Sequence, residues 1–273
     1  MQVKFGLVTD VHHATHGRDL RAQMRAFVED MNKDFHPDFV VGLGDFYGGA
    51  DSSEADLRQI NGIFRTCEAP GYYVLGNLDS WSDGGKQGFK ETVGIDYSWV
   101  SFDVGGFHFV ILDGAWLGED MPISPEHPGQ EQRPPVRLRL ADGERLTGPD
   151  DPIGHVGHIP SHQLRWLEED LAATQKMTVV FCHYPIYIGP CWARLDNEAE
   201  VVEVLERSGK VVAVFTGHFP RCHYKQEKGI NYFIMRGMGQ DCERLGSYAK
   251  VSITEDRLEV KGQVEQVDYE IKL

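Results

Sequence analysis

The sequence has few cysteines, no long apolar run and no excess of positive charge. Its five cysteines form no C-x-x-C pair and their number is odd, so a disulfide framework is not expected. No apolar stretch reaches the roughly 18 residues of a membrane-spanning helix. The first residues run directly into the strand-like segment Val3–Thr9 without a basic or long apolar leader. We therefore expect no signal peptide and predict a cytoplasmic setting.

The charge balance narrows the class of partner. The chain has 27 lysine and arginine residues against 42 aspartate and glutamate residues, for a formal net charge of −15. Proteins that wrap nucleic acid or lie on an anionic membrane need basic surfaces, so neither function is expected. An acidic protein that binds phosphate needs local positive charge, which bound metal ions can supply. We expect a small-molecule partner, and the sequence leaves the oligomeric state open.

The first hundred residues alternate between strand-like and helix-like patterns. Short apolar runs predict buried strands at Val3–Thr9, Phe39–Leu43 and Tyr72–Leu75. Amphipathic periodicity predicts helices at Arg18–Asp34 and Ser52–Thr66. This order predicts a parallel sheet whose loops converge at the carboxyl ends of the strands.

The remaining chain continues in the same way after a hairpin at Gly105-Gly106. The later predicted elements are the hairpin strands Tyr97–Val104 and Phe107–Leu112, helix Ser161–Thr174, strand Thr178–Cys182, helix Glu198–Arg207, strand Val211–Phe215 and a β meander at Tyr232–Leu273. No convincing boundary divides them, so we expect residues 1–273 to form one α/β domain.

A long insertion at 114–159 interrupts this pattern. It is rich in proline and glycine and has little periodicity, which is typical of a functional lid or a disordered loop. We predict a lid that shapes substrate choice. Tyr187 and Trp192, in the loop after His183, are predicted to add an aromatic wall for a base or sugar.

Side chains able to bind metal follow the predicted strands. They are Asp10 and His12 after the first strand, Asp45 after the second, Asn77 after the third, and His183 and His218 after two later strands. Carboxylate and amide oxygens mixed with imidazole suit Mn²⁺, iron or Zn²⁺. Ligands from several rigid strand ends can hold two cations, with a carboxylate bridging them, to activate water against a phosphate.

Each of these residues has a simpler interpretation when it is taken alone. An aspartate after a strand is usually a helix cap or a turn former, an asparagine after glycine is usually a turn residue, and an isolated histidine is usually structural. The joint order D-x-H, G-D, G-N, H and G-H, with each motif at a strand end, favours the metal site over these alternatives.

This motif set resembles that of the calcineurin-like metallophosphoesterase superfamily, which has D-x-H, G-D, G-N-H-D/E, H and G-H-x-H. The resemblance extends from Val3 into the C-terminal meander and implies a four-layer α-β-β-α sandwich. It implies that Asp10 and His12 bind a first metal, that Asp45 bridges, and that Asn77, His183 and His218 bind a second. Asn77 is also predicted to contact substrate.

A narrower similarity concerns two later segments. Gln163–Leu167 and Val179–Ile186 are similar to manganese-dependent ADP-ribose/CDP-alcohol diphosphatases and their bacterial relatives. This resemblance implies a nucleoside diphosphate derivative as substrate and manganese as the metal. The donor set suits manganese or iron, with zinc as an alternative.

Two positions depart from the superfamily pattern. Leu78 stands where G-N-H-D/E has a histidine often assigned as general acid, and Pro220 stands where G-H-x-H has a ligand of the first metal. Either His223 completes the first site, or water does, or that site is weak. General acid catalysis contributes about 10²–10⁴-fold. Its loss therefore favours a phosphoanhydride or activated ester, unless His13 or a histidine of the lid donates the proton.

Three functions remain open. The leading one is metal-dependent hydrolysis of a phosphodiester or phosphoanhydride bond by activated water, and the second is phosphomonoester hydrolysis. The third is a degenerate phosphoesterase fold that serves as a binding scaffold. The two missing histidines favour the scaffold, whereas Asp45 and the complete second-metal set favour an enzyme.

Overall fold

The computed structural model of the chain describes residues 1–49, 52–82, 84–115, 156–187, 193–240 and 246–273. Its strands form two six-stranded sheets. The first sheet contains, in spatial order, β12 (Tyr269–Lys272), β11 (Arg257–Gln263), β10 (Tyr248–Ile253), β1 (Val3–Val8), β2 (Phe39–Gly42) and β3 (Gly71–Tyr73). The second contains β4 (Val100–Val104), β5 (Phe107–Ile111), β6 (Met177–Phe181), β7 (Val211–Thr216), β9 (Ile230–Ile234) and β8 (His223–Glu227).

Both sheets are mixed rather than purely parallel. In the first sheet β1, β2 and β3 run parallel, while β10, β11 and β12 pair antiparallel. In the second sheet β5, β6, β7 and β9 run parallel, and the edge strands β4 and β8 are antiparallel to their neighbours. The parallel strands explain why the loops that follow them gather at one edge of each sheet.

An aromatic core joins the inner faces of the two sheets. Phe5 of β1 and Phe39 of β2 stack with ring centroids 5.2 Å apart. Phe5 also meets Phe181 and Phe215 of the second sheet edge to face, at 5.6 and 5.8 Å. All four rings are fully buried, and such pairs add about 0.5–1.5 kcal/mol each beyond their burial. The packing fixes the carboxyl ends of the two sets of strands relative to each other.

Helices cover the outer faces of the sheets. Those described are α1 (Arg21–Asp30), continued by a π-helical turn (Met31–Phe35), α2 (Glu54–Phe64), α3 (Gly85–Val93), α4 (Ser161–Ala173) and α5 (Glu198–Ser208). Helices α1, α2 and α3 pack side by side, as do α4 and α5. The predicted four-layer α-β-β-α sandwich is confirmed.

Local signals locate several elements well. Helix α2 begins after Ser53, whose side chain accepts the Asp56 N–H while the Asp56 carboxylate accepts the Ser53 N–H, forming a capping box. The β4–β5 hairpin turns at Gly105, where φ is +56°. A helix beginning near Ser53 and the hairpin turn were expected from the sequence, whereas the capping box itself was not predicted.

Three parts of the fold differ from the expectation. Helix α3 was not predicted, since its glycines weaken helical propensity, and burial of Phe89 and Val93 stabilises it instead. Strand β8 was not predicted because it is a polar edge strand. The meander predicted at Tyr232–Leu273 is wrong for its first strand. Strand β9 pairs parallel with β7 in the second sheet, and only β10 to β12 form a meander in the first.

Most of the predicted lid lies outside the described residues, but its two ends are described. The His158 N–H donates to the Gly114 carbonyl at 2.9 Å. The Gln163 amide binds both the N–H and the C=O of Asp113, each at 2.9 Å. The insertion therefore leaves the fold and returns to it at one place. None of the helices that the structure describes is long and apolar enough to cross a membrane.

Candidate metal centre

The structure brings the predicted ligands together where the two sheets meet. They form two groups that share one residue, namely Asp10, His12 and Asp45 (the first group) and Asp45, His183 and His218 (the second group). In each group one ligand atom per residue lies within 4.8 Å of the others. The side-chain oxygen of Asn77 lies 3.3 Å from His183 Nε2 and extends the second group.

Asp45 stands between the two groups. Its Oδ2 lies 3.1 Å from His12 Nε2 and 3.4 Å from His183 Nε2. Its Oδ1 accepts the backbone N–H of Leu78 at 2.9 Å, which fixes the carboxylate plane. One oxygen of this side chain is thus directed toward both groups, as a bridging ligand requires.

The second group is buried. His183 has no exposed side-chain surface, and its Nδ1 donates to the Leu43 carbonyl at 2.7 Å. That bond leaves Nε2 as the atom directed at the cluster, 3.1 Å from His218 Nδ1. In metal-binding histidines one ring nitrogen usually binds the metal while the other donates its N–H to a carbonyl or carboxylate.

The first group is more open. Asp10 is buried, and its Oδ2 accepts the His218 backbone N–H at 2.9 Å and the Thr9 hydroxyl at 2.7 Å. Its Oδ1 faces His12 Nε2 at 3.7 Å. The His12 side chain is 23% exposed, so this group reaches the solvent.

Four of these residues have a left-handed backbone. The φ angles are +48° at Asp10, +49° at His12, +55° at Asp45 and +63° at His218. Such conformations are uncommon for residues other than glycine and cost of order 1–3 kcal/mol each. The Asp10 N–H bond to Gly44 O and the His12 N–H bond to Asp45 O, both at 3.0 Å, help to hold them. Their clustering indicates a functional site.

The glycines that precede two ligands permit the close approach. A Cβ on Gly44, where φ is +99°, would lie 2.5 Å from His183 Nδ1. A Cβ on Gly76 would collide with Asp45 Oδ1. The G-D and G-N motifs therefore require glycine, because Gly44 lies against His183 of the second sheet and Gly76 lies against Asp45 at the end of the neighbouring strand.

The electrostatics of the centre favour a cation. Burial alone would raise the pKa of Asp45, but the charge of His183 and hydrogen bonds from His12 and His183 hold that pKa well below its ordinary value. Burial opposes a charged imidazole, yet Asp45 raises the pKa of His183 to about 9. A metal ion would replace that proton, and the mixed carboxylate, amide and imidazole donors fit Mn²⁺, iron or Zn²⁺.

Asp79 was not assigned a role from the sequence. It is fully buried and accepts the backbone N–H groups of Asp45, Tyr47 and Gly76 at 2.8, 3.0 and 3.0 Å. Burial and the neighbouring charge of Asp45 raise its pKa to about 7. It orders the two loops that carry Asp45 and Asn77. The signal was its place two residues after Asn77, in the family's D/E position.

His13 belongs to neither group among the described residues. Its Nδ1 accepts the Leu20 N–H at 3.2 Å, at the start of α1. Burial lowers its pKa, and the acidic groups that oppose this shift are Asp19 and Asp56, rather than Asp10 or Asp45. The neutral imidazole is therefore favoured, which does not support a proton donor, and the role of His13 stays a prediction.

Two other predicted residues that the structure describes, His223 and Tyr187, are not members of either group. His223 is exposed at the start of β8. The ring centroids of Tyr187 and Tyr232 lie 5.3 Å apart. The Nζ atom of Lys225, a residue of β8, lies 4.0 Å from the Tyr187 centroid. Trp192 lies outside the described residues. Their proposed contacts with metal or substrate stay predictions.

Comparison with known proteins agrees with this geometry. Residues 3–222 match the family model described as calcineurin-like phosphoesterase. The fold is similar to a dimetal phosphatase from Danio rerio, with TM-score 0.76 and 21% identity over 99% of this chain and 98% of that one. It is also similar to an anchor protein of the inner membrane complex of Plasmodium, with TM-score 0.62 and 14% identity over 100% and 88% of the chains. At these identities the structural likenesses show the fold.

One curated protein is similar in sequence. An acid phosphatase from Aspergillus ficuum is 29% identical over 137 residues. The match covers 47% of this chain but only 22% of that protein, so it concerns a small part of the phosphatase.

Proposed function

The chain belongs to the calcineurin-like phosphoesterase family, and we propose that it is a metal-dependent hydrolase that cleaves a phosphodiester or phosphoanhydride bond in a small molecule. The proposed substrate class includes nucleoside diphosphate derivatives, for which the sequence resemblance to ADP-ribose/CDP-alcohol diphosphatases provides the support.

The observation that carries the proposal is the position of Asp45 Oδ2 between the two groups. Asp10, His12 and Asp45 would hold one ion, and Asp45, Asn77, His183 and His218 would hold the other. When bound, two such ions polarise a phosphate and lower the pKa of a water molecule. Manganese or iron is the proposed metal, because these donors suit either.

The residues of the chain position this chemistry. Asp79 holds the Asp45 loop through two backbone amides and the Asn77 loop through one, and the Leu43 carbonyl orients the His183 ring. These contacts keep the ligands in place without rearrangement during the reaction.

The proposed leaving group rests on Leu78 and His13, the two described positions at which a proton donor was considered. Leu78 has no ionisable group, and His13 faces α1 with its neutral form favoured. An alkoxide leaving group would need a proton, whereas a leaving phosphate or nucleotide of low pKa needs one much less. We therefore expect anhydrides and activated diesters to be better substrates than alkyl monoesters.

The insertion and the aromatic residues concern the organic part of the substrate. We propose that the insertion at 114–159, Tyr187 and Trp192 shape substrate choice. The two ends of the insertion are joined by the hydrogen bond between Gly114 and His158. A variant in which a short Gly/Ser linker replaces residues 116–155 should therefore fold. Such a variant should keep its metal content and change its ranking of nucleotide substrates; an unchanged ranking would contradict the role. The cytoplasmic setting also stays a prediction.

A substrate panel combined with metal analysis tests the function. The metal-free protein is reloaded with Mn²⁺ or Fe²⁺ and assayed on bis-nitrophenyl phosphate, nitrophenyl phosphate and nucleotide diphosphate derivatives. We expect two ions per chain and faster cleavage of the diester and the anhydrides. Stoichiometric metal without hydrolysis of any compound would contradict the proposed reaction and favour a binding scaffold.

A phosphomonoesterase is the second candidate. The similarity to the Aspergillus ficuum acid phosphatase favours it, although that match covers 47% of this chain. In the same panel, preferential cleavage of nitrophenyl phosphate over its diester would select this function.

A further inference from the structure

The two metal groups differ in the number of side chains that they contain. The second group has four positions once Asn77 is included, and the first has the three side chains of Asp10, His12 and Asp45. Glutamine and asparagine oxygens are metal ligands of the same kind as Asn77 Oδ1. The side chain of Gln240, which carries such an oxygen, lies near Asp10.

The chain after β9 packs beside Asp10. It forms the short 3₁₀ turn Met238–Gln240. The Met238 N–H donates to Thr9 O at 2.8 Å, and the Gly239 N–H donates to Asp10 O at 2.9 Å. Arg18 Nη1 binds the Gly239 carbonyl at 2.9 Å from the other side. This turn is therefore fixed against the β1 end, on the side of the centre that carries the first group.

The Gln240 side chain lies next to that of Asp10. A Cβ placed on Gly237 would be 2.8 Å from Asp10 Cβ and 3.3 Å from Gln240 Cδ, so the two side chains flank the same point. Gln240 Oε1 is buried, and no residue in the described part of the chain donates a hydrogen bond to it. A buried carbonyl oxygen without a donor is destabilising, so such an oxygen often binds an ordered water or an ion.

We propose that the side-chain oxygen of Gln240 is a ligand of the first metal ion. This inference rests on the proposed two-metal function. It would give each group four side-chain positions with one neutral amide oxygen in each, Gln240 in the first and Asn77 in the second. It would also extend the first group to both sheets, because Gln240 follows β9 whereas Asp10 follows β1.

Metal titration provides the test. Metal-free wild-type protein and three variants, Gln240→Leu, Gln240→Glu and the control Gln23→Leu, are titrated with Mn²⁺ by calorimetry. Gln23 is a buried residue of α1 that belongs to neither group. We expect Gln240→Leu to weaken one class of site at least about 10-fold, as loss of even an outer-shell partner does, and to leave the other class unchanged. Gln23→Leu should leave both classes unchanged.

Gln240→Glu keeps an oxygen at the same place and adds a charge, so it should bind the first ion as tightly as wild type or more tightly. It also guards against a misfolded leucine variant. A Co²⁺-loaded sample provides a second readout, since loss of a ligand changes the intensity of its visible absorption. Unchanged affinities in Gln240→Leu, or equal weakening in the leucine and glutamate variants, would overturn the assignment.

The titration separates the two proposals. If wild-type protein bound no Mn²⁺, the two-metal function itself would fail. If wild type bound two ions and Gln240→Leu bound them equally well, only the role of Gln240 would fail.

Discussion

The two metal groups are built from different parts of the fold. The second group takes Asn77 from the first sheet and His183 and His218 from the second, so the core between the sheets fixes its geometry. In the first group, Asp10 and His12 both follow β1. His183 has no exposed surface, whereas the His12 side chain is 23% exposed.

This difference in exposure predicts different rates of metal exchange at the two groups. Charges buried between packed layers interact strongly because water is excluded. A group open to water admits substrate and solvent more readily. We therefore expect the second ion to be the more firmly held, and the first to be the one that exchanges. Asp45 couples the two, since the same oxygen faces both groups.

The largest effect is expected from removing this coupling. Asp45→Asn removes a negative charge from between two cations, so both ions should be lost together. Activity should fall by more than about 100-fold, which exceeds the effect of losing a residue that only contacts a metal ligand. Metal content by mass spectrometry and hydrolysis of bis-nitrophenyl phosphate measure the two effects. Asp30→Asn is the control, because Asp30 binds Tyr248 and Lys250 away from the centre. An Asp45→Asn variant with full metal and activity would refute the bridging role.

A pair of histidine variants separates the two groups. His183→Ala should remove the second ion, and His12→Ala should remove the first while the enclosed second ion remains. In wild type, a chelator should take the first ion sooner because it is reached through solvent at His12, and activity should fall with that first step. Timed chelator withdrawal followed by metal counting checks the order. Loss of both ions in one step, or of the second ion first, would contradict the comparison.

A smaller effect is expected from the residue that positions Asp45. Asp79→Asn keeps one acceptor oxygen but cannot accept the three backbone N–H bonds equally well. We expect the affinity for the second metal ion, which Asp45 and Asn77 would bind, to fall about 10-fold. The free energy of unfolding should fall by about 1–3 kcal/mol. Calorimetric Mn²⁺ titration and thermal unfolding measure these. If Asp79 only stabilised the fold, stability would fall with no change in affinity.

The ends of the ligand-bearing strands and the order of the ligands along the chain could be predicted from the sequence. Asp10, Asp45, Asn77, His183 and His218 follow apolar runs that are recognisable locally, and the structure brings them together as expected. The capping box at Ser53 was equally local. These features depend on neighbours in the chain, so pattern alone could locate them.

Other features depend on distant contacts and could not be read from the sequence. Strand β8 has no apolar pattern because it lies at a sheet edge. Gln240 lies near Asp10 because the chain returns along β9, although the two residues are 230 positions apart in the sequence, and no local signal marks this contact. The orientation of His13 depends on the start of α1.

The smallest effect is expected from His223, which competes with Gln240 as a further ligand of the first ion. His223 is exposed at the start of β8, where it pairs with Ile234, and it is not part of either group among the described residues. His223→Ala should therefore change first-site affinity by less than about 2-fold, since surface substitutions away from such features usually alter free energies by at most about 0.5 kcal/mol. The measurement is the same Mn²⁺ titration, with Gln240→Leu as the matched loss. A large loss of the first ion in His223→Ala would show that the loop after His218 brings this ring to the metal, and the first group would then be completed by β8 rather than by the turn after β9.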